Sequence, residues 1–524
     1  MASPTGRPFF CTAAIGRWHP ASAVHEFLAL HNSFPGVYKN TMGARTGAEF
    51  IQGLRDDREV WLGNERVEDV TTHPAFRPAI ESIAQLYDMQ HDPAYQERLC
   101  YASPSSGDPV GLSFLIPHSR EDLVRRRQMV KVWADATCGM MGRSADFLNT
   151  MVTAWAAKAD YFAQQGPECT QRVLAYYEHC RENDLFLTHT LVDPQVDRSK
   201  NRAEQDDPYQ CLGIVDETSE GLVIRGGKMI ATAAPFADEI LAWPFPPTLT
   251  EAESRYAIVF IIPVASPGLK IICRASFTRP GPVEDHPLSA RFDEMDAVAV
   301  FDDVLVPWER VFLHKDVNLV GQMYAGTRIR EWTAHQTNTR LLSKIEFVYG
   351  TLSLMAEAIG VQDKPAVQEM LGEAASYIEI IQSVLVASEQ EAEVDLSNGA
   401  IYPALTTLQV GRVWGPRIYP RLMEMMRRIG AGGLMQLPAT FSAFDGPTGA
   451  YLEKYYRGAR IPAQDKVRLF KLAWDLVGSD FGSRHELYEM FYAGDPSMIT
   501  ASLYREFDNA SYMNRVKEFL GTKE

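Results

Sequence analysis

Between Met42 and about Arg202, apolar side chains recur every three or four positions along the chain. Between Cys211 and Phe312 they recur every second position, and beyond Val320 the longer period returns almost to the end. The longer period keeps one face of a helix apolar; the shorter keeps one face of a strand apolar. Helices are therefore expected over Arg120–Lys131, Ala145–Phe162 and Glu168–Asn183, the last with Val173, Leu174, Tyr177 and Cys180 on one side. Thr46, followed by Glu49 three residues on, has the form of a helix N-cap. Residues 211–217, 221–233, 255–265, 269–277 and 297–306 read as strands. Turns at Ser219-Glu220-Gly221, Ser266-Pro267-Gly268 and Arg279-Pro280-Gly281 separate them, which predicts a compact antiparallel β unit. Arg328–Ile359 and Ala366–Glu393 then read as long helices, the second opened by Pro365. Shorter helices are expected near 405–429, 463–478 and 497–519.

The change of period divides the chain into an extension at 1–41, a helical N-terminal domain at 42–205, a middle β domain at 206–318 and a C-terminal helical bundle and tail at 319–524. The extension holds one acidic residue, Glu26, and has no clean period and no secretory signal pattern. It reads as an add-on or a mis-assigned start, with a docking or oligomerisation arm as the alternative.

Composition narrows the class. The 524 residues are 46% hydrophobic and 23% charged, the balance of an ordinary globular protein rather than a disordered or disulfide-built one. A formal charge of −16 argues against nucleic acid or an anionic membrane as partner. The longest apolar stretch, Ala257–Ala265, is broken by Pro263 and is far short of the ~20 residues of a membrane helix. Seven cysteines, an odd count with no C-x-x-C pair, read as reduced thiols in a cytoplasmic protein.

Four segments could carry chemistry. In Gly142-Arg143-Ser144-Ala145-Asp146-Phe147, the glycine would let the backbone approach a ligand, and Arg143 either stabilises an anion or pairs with a carboxylate such as Asp146. His189 stands before the loop Asp193-Pro194-Gln195-Val196-Asp197-Arg198, with no partner at metal-ligand spacing, and a lone histidine of this kind is more often structural than functional. Thr232 closes a strand among small residues, against whose edge a flat ring could lie; an ordinary β-turn is the alternative. The run from His286 to Arg310 marks a domain junction, where packing explains most of the pattern. There is no G-x-G-x-x-G, P-loop or G-x-S-x-G motif.

Taken together, the motifs THPAF (72–76), MMGRSADFLN (140–149), DPQVDR (193–198), HPLSARFDEMD (286–296), FDDVLVPWERVF (301–312), GSRHELYE (482–489) and GDP (494–496) resemble one family in order and spacing. It is that of the oxygenase component of 4-hydroxyphenylacetate 3-monooxygenase, two-component phenol hydroxylases dependent on reduced FAD. The resemblance implies an acyl-CoA dehydrogenase-like fold, mainly α with a central β domain, and a homotetramer. It implies FADH2 supplied by a separate NAD(P)H-dependent flavin reductase, O2 as co-substrate, and ortho-hydroxylation of a phenol to a catechol through a flavin C4a-hydroperoxide, in aromatic catabolism. By position it assigns Arg143 and His189 to catalysis and to the phenol. Flavin contacts fall on His189, Thr190, Leu191, Gln195, Val196, Asp197, Arg198, Thr232, Asp495, Pro496, Ser497 and Met498, and no metal is implied.

This chain departs from the family pattern at Phe147, where close relatives carry a tyrosine, and at Phe245-Pro246, where relatives that take a carboxylate-bearing phenol carry a Ser-Thr pair. Phe147, Phe245 and Pro246 thus predict a less polar substrate pocket. The chemistry is consistent with the residue types. A phenol of pKa near ~10 is mostly neutral at pH 7, and ionising it there costs about 4 kcal/mol, so an imidazole to take the proton and a guanidinium to hold the oxygen would help. The alternatives are flavin enzymes of the same fold. An iron–sulfur dehydratase would need more cysteines near Cys138 and His286, and an acyl-CoA dehydrogenase would need a carboxylate base such as Glu346 or Glu357.

Overall fold

Thr46 opens the first helix with a complete capping box: its hydroxyl accepts from the Glu49 N–H, and the Glu49 carboxylate accepts from the Thr46 N–H. The structure, a computed structural model, describes residues 43–246 and 248–522. The expectations for 1–41 lie outside the described residues.

The N-terminal helices are α1 (Gly47–Gly53), α2 (Arg77–Met89), α3 (Arg120–Ala136), α4 (Ala145–Ala157) and α5 (Pro167–Asn183). The helix expected over 145–162 stops at Ala157 and continues as a tighter turn over Ala159–Gln164. Nearly all of α4 is buried, including Asn149, Thr150 and Thr153, so it is a core helix rather than an amphipathic one.

The middle layer holds two sheets built from β1 (Glu59–Leu62), β2 (Glu65–Val67), β3 (Leu187–Val192), β4 (Gly213–Glu217), β5 (Gly221–Lys228), β6 (Glu239–Phe245), β7 (Ile258–Pro263), β8 (Leu269–Cys273), β9 (Ala297–Pro307) and β10 (Val311–His314). One sheet runs β2-β1-β8-β9-β5-β4 and the other β10-β7-β6-β3. The layer is not purely antiparallel as expected: β1 pairs with β8 in parallel, Val60 opposite Ile271, and β3 pairs with β6 in parallel, His189 opposite Leu241. Parallel partners need a long crossover, so each comes from a distant part of the chain and is invisible to local patterning. The expected boundary near 205 is crossed by both pairings. β6 went unread because EILAWPF, buried on both faces as far as Pro244, has no alternation.

The C-terminal part contains α6 (Val317–Gly326), α7 (Ile329–Ala358), α8 (Pro365–Gln390), α9 (Leu405–Gly430), α10 (Ala463–Val477), α11 (Asp480–Phe491), α12 (Pro496–Glu506) and α13 (Ala510–Leu520). The helix expected over 497–519 is two helices, separated where Phe507 turns extended. By length and composition alone α8 could cross a membrane, but it packs against α7 and α9 in the bundle. The order helical layer, β layer, helical bundle is the expected one.

Candidate active site

The site forms where the loop before α4, strand β3 and helix α11 meet. Arg143 lies just ahead of α4. Asp146, its suggested partner, is turned elsewhere, accepting from Ser144 Oγ (2.6 Å) and from Gln336 Nε2 of α7 (2.8 Å). Burial pushes the Asp146 carboxyl up. The Arg143 guanidinium makes no ion pair among the described residues. Its Nε donates to His189 Nε2 (3.2 Å), and its Nη1 donates to the Gly142 carbonyl (3.0 Å) and to Tyr488 Oη (2.6 Å). It lies 4.3 Å over the Phe147 ring and 5.5 Å from the Tyr488 ring. Among the described residues Nη2 has no hydrogen-bond partner.

The place of Gly142 differs from expectation. A Cβ there would fall 2.1 Å from Tyr488 Oη, so the missing side chain admits a tyrosine of the same chain rather than a ligand.

His189 sits on β3 with 9% of its surface exposed, edge-on to Phe147 and Trp243, both ring centroids 5.8 Å away. Burial, reinforced by the Arg143 charge, holds its pKa well below 6.5, so the ring is neutral. Because Nε2 accepts from Arg143, the single ring proton belongs on Nδ1. Nδ1 is buried and has no partner among the described residues. The site therefore presents two donors without a partner among the described residues, Arg143 Nη2 and His189 Nδ1–H.

Thr232 joins this centre through a carboxylate chain. Its hydroxyl donates to Asp296 (2.7 Å); Arg484 of α11 bridges Asp296 (2.7 Å) and Glu294 (2.7 Å); Glu294 accepts the Arg143 backbone N–H (2.6 Å). Burial opposes the charge on Asp296, but Arg484 and Arg274 hold it below the usual carboxylate range. The Thr232 carbonyl in turn accepts from Thr188 on β3.

The remaining flavin-assigned residues form an outer wall. Thr190 donates to the Met229 carbonyl (3.3 Å), and the Leu191 carbonyl accepts from Lys228 Nζ (3.0 Å). Lys228 also binds Asp193 (2.7 Å), which Arg202 holds from the other side (2.6 Å) while donating to the Pro246 carbonyl (3.0 Å). Beyond this anchor Gln195, Val196 and Arg198 are exposed, Val196 by 70%, and Asp197 caps its own turn at Ser199. Pro496 opens α12, and Asp495 caps it by accepting from the N–H groups of Ser497 and Met498; the Met498 side chain is 63% exposed. Phe245, at the end of β6, lies beside this turn: a Cβ on Gly494 would be 4.0 Å from its ring. Phe147 thus packs against Arg143 and His189, whereas Phe245 lies beside Gly494 and the Pro246 carbonyl is on Arg202.

A flavin has a flat apolar ring with a polar edge and a phosphate-bearing tail. The small buried run Ala231-Thr232-Ala233-Ala234 fits the flat ring, with the Thr232 hydroxyl for its polar edge, and the open loop bearing Arg198 fits the tail.

Sequence reasoning named Arg143 and His189 but not Tyr488, Trp243, Glu294, Asp296, Arg484 or Lys228. Four of these lie in HPLSARFDEMD and GSRHELYE, where the motif itself was the signal. Trp243 and Lys228 carried none. The acyl-CoA dehydrogenase base candidates lead away from the site: Glu346 pairs with Lys131 (2.7 Å), and Glu357 is exposed.

Two family models match the chain, the N-terminal part of 4-hydroxyphenylacetate 3-hydroxylase over residues 46–313 and the C-terminal part over 320–521. The chain belongs to this family. The family's 4-hydroxyphenylacetate 3-monooxygenase oxygenase component from Thermus thermophilus is 44% identical over 479 residues, 91% of this chain and 97% of that protein. A 4-nitrophenol 2-monooxygenase oxygenase component from a Rhodococcus species is 35% identical, covering 88% of each. A crystal structure of a 4-hydroxyphenylacetate 3-monooxygenase oxygenase component, complexed with FAD and 4-hydroxyphenylacetate, superposes with a TM-score of 0.87 at 43% identity, covering 91% of this chain and 98% of that one. A 4-hydroxybutyryl-CoA dehydratase at 23% identity and TM-score 0.82 shares the fold.

Proposed function

We propose that this enzyme, the oxygenase component of a two-component flavin-dependent monooxygenase, hydroxylates a phenol whose para group is apolar or neutral. FAD is its cofactor, in the reduced form delivered by a separate reductase. The overall change is phenol plus O2 plus FADH2 to catechol plus water plus FAD. When bound, the reduced flavin supplies the two electrons and activates O2.

The observation that carries this reading is the pair of unused donors, Arg143 Nη2 and His189 Nδ1–H, in a buried site lined by Phe147 and Trp243. Two donors beside an uncompensated cation are suited to an anionic phenol oxygen, the form that gives up ring electrons most readily. The Nδ1 proton changes the part expected of His189. With Nε2 committed to Arg143, it holds the oxygen as a donor rather than taking the phenol proton. The apolar side chains around the pair and at the rim exclude water and give a para carboxylate no partner.

Thr232, the loop 195–198 and the turn 495–498 would hold the flavin around this centre. The same reading makes the enzyme a cytoplasmic homotetramer in aromatic breakdown, served by an NAD(P)H-dependent reductase. Exposed Tyr512, Met513, Val516 and Phe519 on α13 supply apolar surface for subunit contact.

The test is a panel of phenols incubated with enzyme, FAD, a generic flavin reductase and NADH, read by mass spectrometry. Gain of one oxygen on para-alkyl or para-nitro phenols is expected. A best kcat/KM on 4-hydroxyphenylacetate would overturn the apolar pocket; no product from any phenol would overturn the enzyme class.

A further inference from the structure

The Tyr488 side chain is half-buried and ringed by cations: Arg484 at 5.0 Å, Arg340 at 5.3 Å, Arg143 at 5.5 Å and Lys344 at 6.0 Å. Its neighbours fix it in place. Arg340 holds Glu489 through two contacts (2.7 and 2.8 Å), Lys344 joins the same carboxylate (2.9 Å), and Arg484, one turn earlier on α11, is held by Glu294 and Asp296. Three of the four cations are thus matched by carboxylates. Arg143 is not, and in its place it has the Tyr488 hydroxyl.

We propose that Tyr488 is a positioning residue that sets both phenol-facing donors. By accepting from Nη1, its hydroxyl fixes the rotation of the Arg143 fork. That rotation aims Nε at His189 Nε2, which keeps the imidazole proton on Nδ1, and leaves Nη2 free on the same side. A hydroxyl serves where a carboxylate would not: it orients the guanidinium without neutralising it, so the positive charge stays available to the phenol oxygen. Gly142 belongs to the same device, because any Cβ there would drive the hydroxyl off the guanidinium. The inference rests on the phenol-binding reading above.

The test uses 4-nitrophenol bound to the flavin-free enzyme, with the visible absorbance of its phenolate as the readout. In the wild type the bound phenol should ionise at lower pH than the free one. Tyr488→Phe should move that midpoint back up by about one pH unit, roughly tenfold in the constant. Gly142→Ala should do the same by a different route. Reduced-FAD affinity should stay within about twofold in both. In a double-mutant cycle, Tyr488→Phe should add nothing to Arg143→Ala, since Tyr488 acts only through that arginine. A wild-type midpoint equal to that of free 4-nitrophenol would refute the phenol-binding reading. A wild-type shift that survives intact in Tyr488→Phe, or full additivity of the two substitutions, would refute the role of Tyr488 alone.

Discussion

The two walls of the site are built on opposite principles. The inner wall is Arg143, His189 and Phe147, all buried, with the half-buried Tyr488, and among the described residues Arg143 Nη2 and His189 Nδ1 have no partner. The outer wall, residues 195–198 and 495–498, is largely exposed and satisfies itself through local turns, Asp197 with Ser199 and Asp495 with Ser497 and Met498. A preorganised inner wall suits chemistry, because the donors need not reorganise as charge develops. A self-contained, open outer wall suits a cofactor that arrives and leaves, since little has to be broken to release it. The difference teaches that binding and chemistry are separable here, and substitutions should separate them.

The largest effect should come from the inner wall. Arg143→Ala removes a guanidinium that has no ion pair among the described residues, and should lower hydroxylation about 10²–10³-fold with little change in reduced-FAD affinity. Arg143→Lys should recover only part, because an ammonium cannot reach Tyr488 and His189 together. Product yield per NADH in steady state checks both.

His189→Ala should cost about 10²-fold and divert reducing equivalents to hydrogen peroxide. Asn at this position can still donate but cannot act as a base, so His189→Asn should retain distinctly more activity than His189→Ala. Equal losses in the two variants would return His189 to the role of base.

A smaller effect is expected at the outer wall. Met498→Ala or Arg198→Ala should raise the KM for reduced FAD several-fold and leave kcat near wild type. The wild-type protein should emerge from gel filtration colourless, with oxidised FAD binding more weakly than reduced FAD in an anaerobic titration. Stoichiometric FAD surviving that step would erase the contrast between the walls.

The smallest effect is on stability. The folded His189 pKa lies well below 6.5, while the unfolded side chain titrates near 6.5. Below about pH 6.5 the unfolded chain takes up a proton that the folded one refuses, so stability falls as pH drops; above it neither state is charged there and the contribution is flat. His189→Asn should flatten the acid limb of a urea-denaturation series by up to about 1.4 kcal/mol per pH unit.

Much of this was legible in the sequence, for identifiable reasons. Helical spacing and the Thr46–Glu49 cap marked the helices because those signals are local. Arg143 and His189 stood out because each sits in a motif without an obvious solvent-facing role. What escaped depended on distant partners. β3 looks unlike a strand because its polar Thr188, His189 and Thr190 are buried for the site's sake, and its partner β6 lies across a long crossover. Tyr488 looked like one more aromatic on a helix; only the contact with Gly142, some 350 residues earlier, gives it a function. Asp146 misled because proximity in sequence suggested a pairing that Gln336 takes instead.

The parallel pairings also bear on how the gene can be cut. β1 and β3 precede residue 206, yet β1 completes one sheet against β8 and β3 completes the other against β6. A fragment beginning at 206 would leave a raw edge on each sheet, with unpaired N–H and C=O groups along Leu269–Cys273 and Glu239–Phe245. Shuffling or splitting this protein at the apparent border between helical and β segments would yield two sticky halves rather than two modules. The connection between β10 and α6 comes after both sheets have received their last strand, yet a cut there would part α7 from α3 and α4 and Arg484 from Glu294 and Asp296.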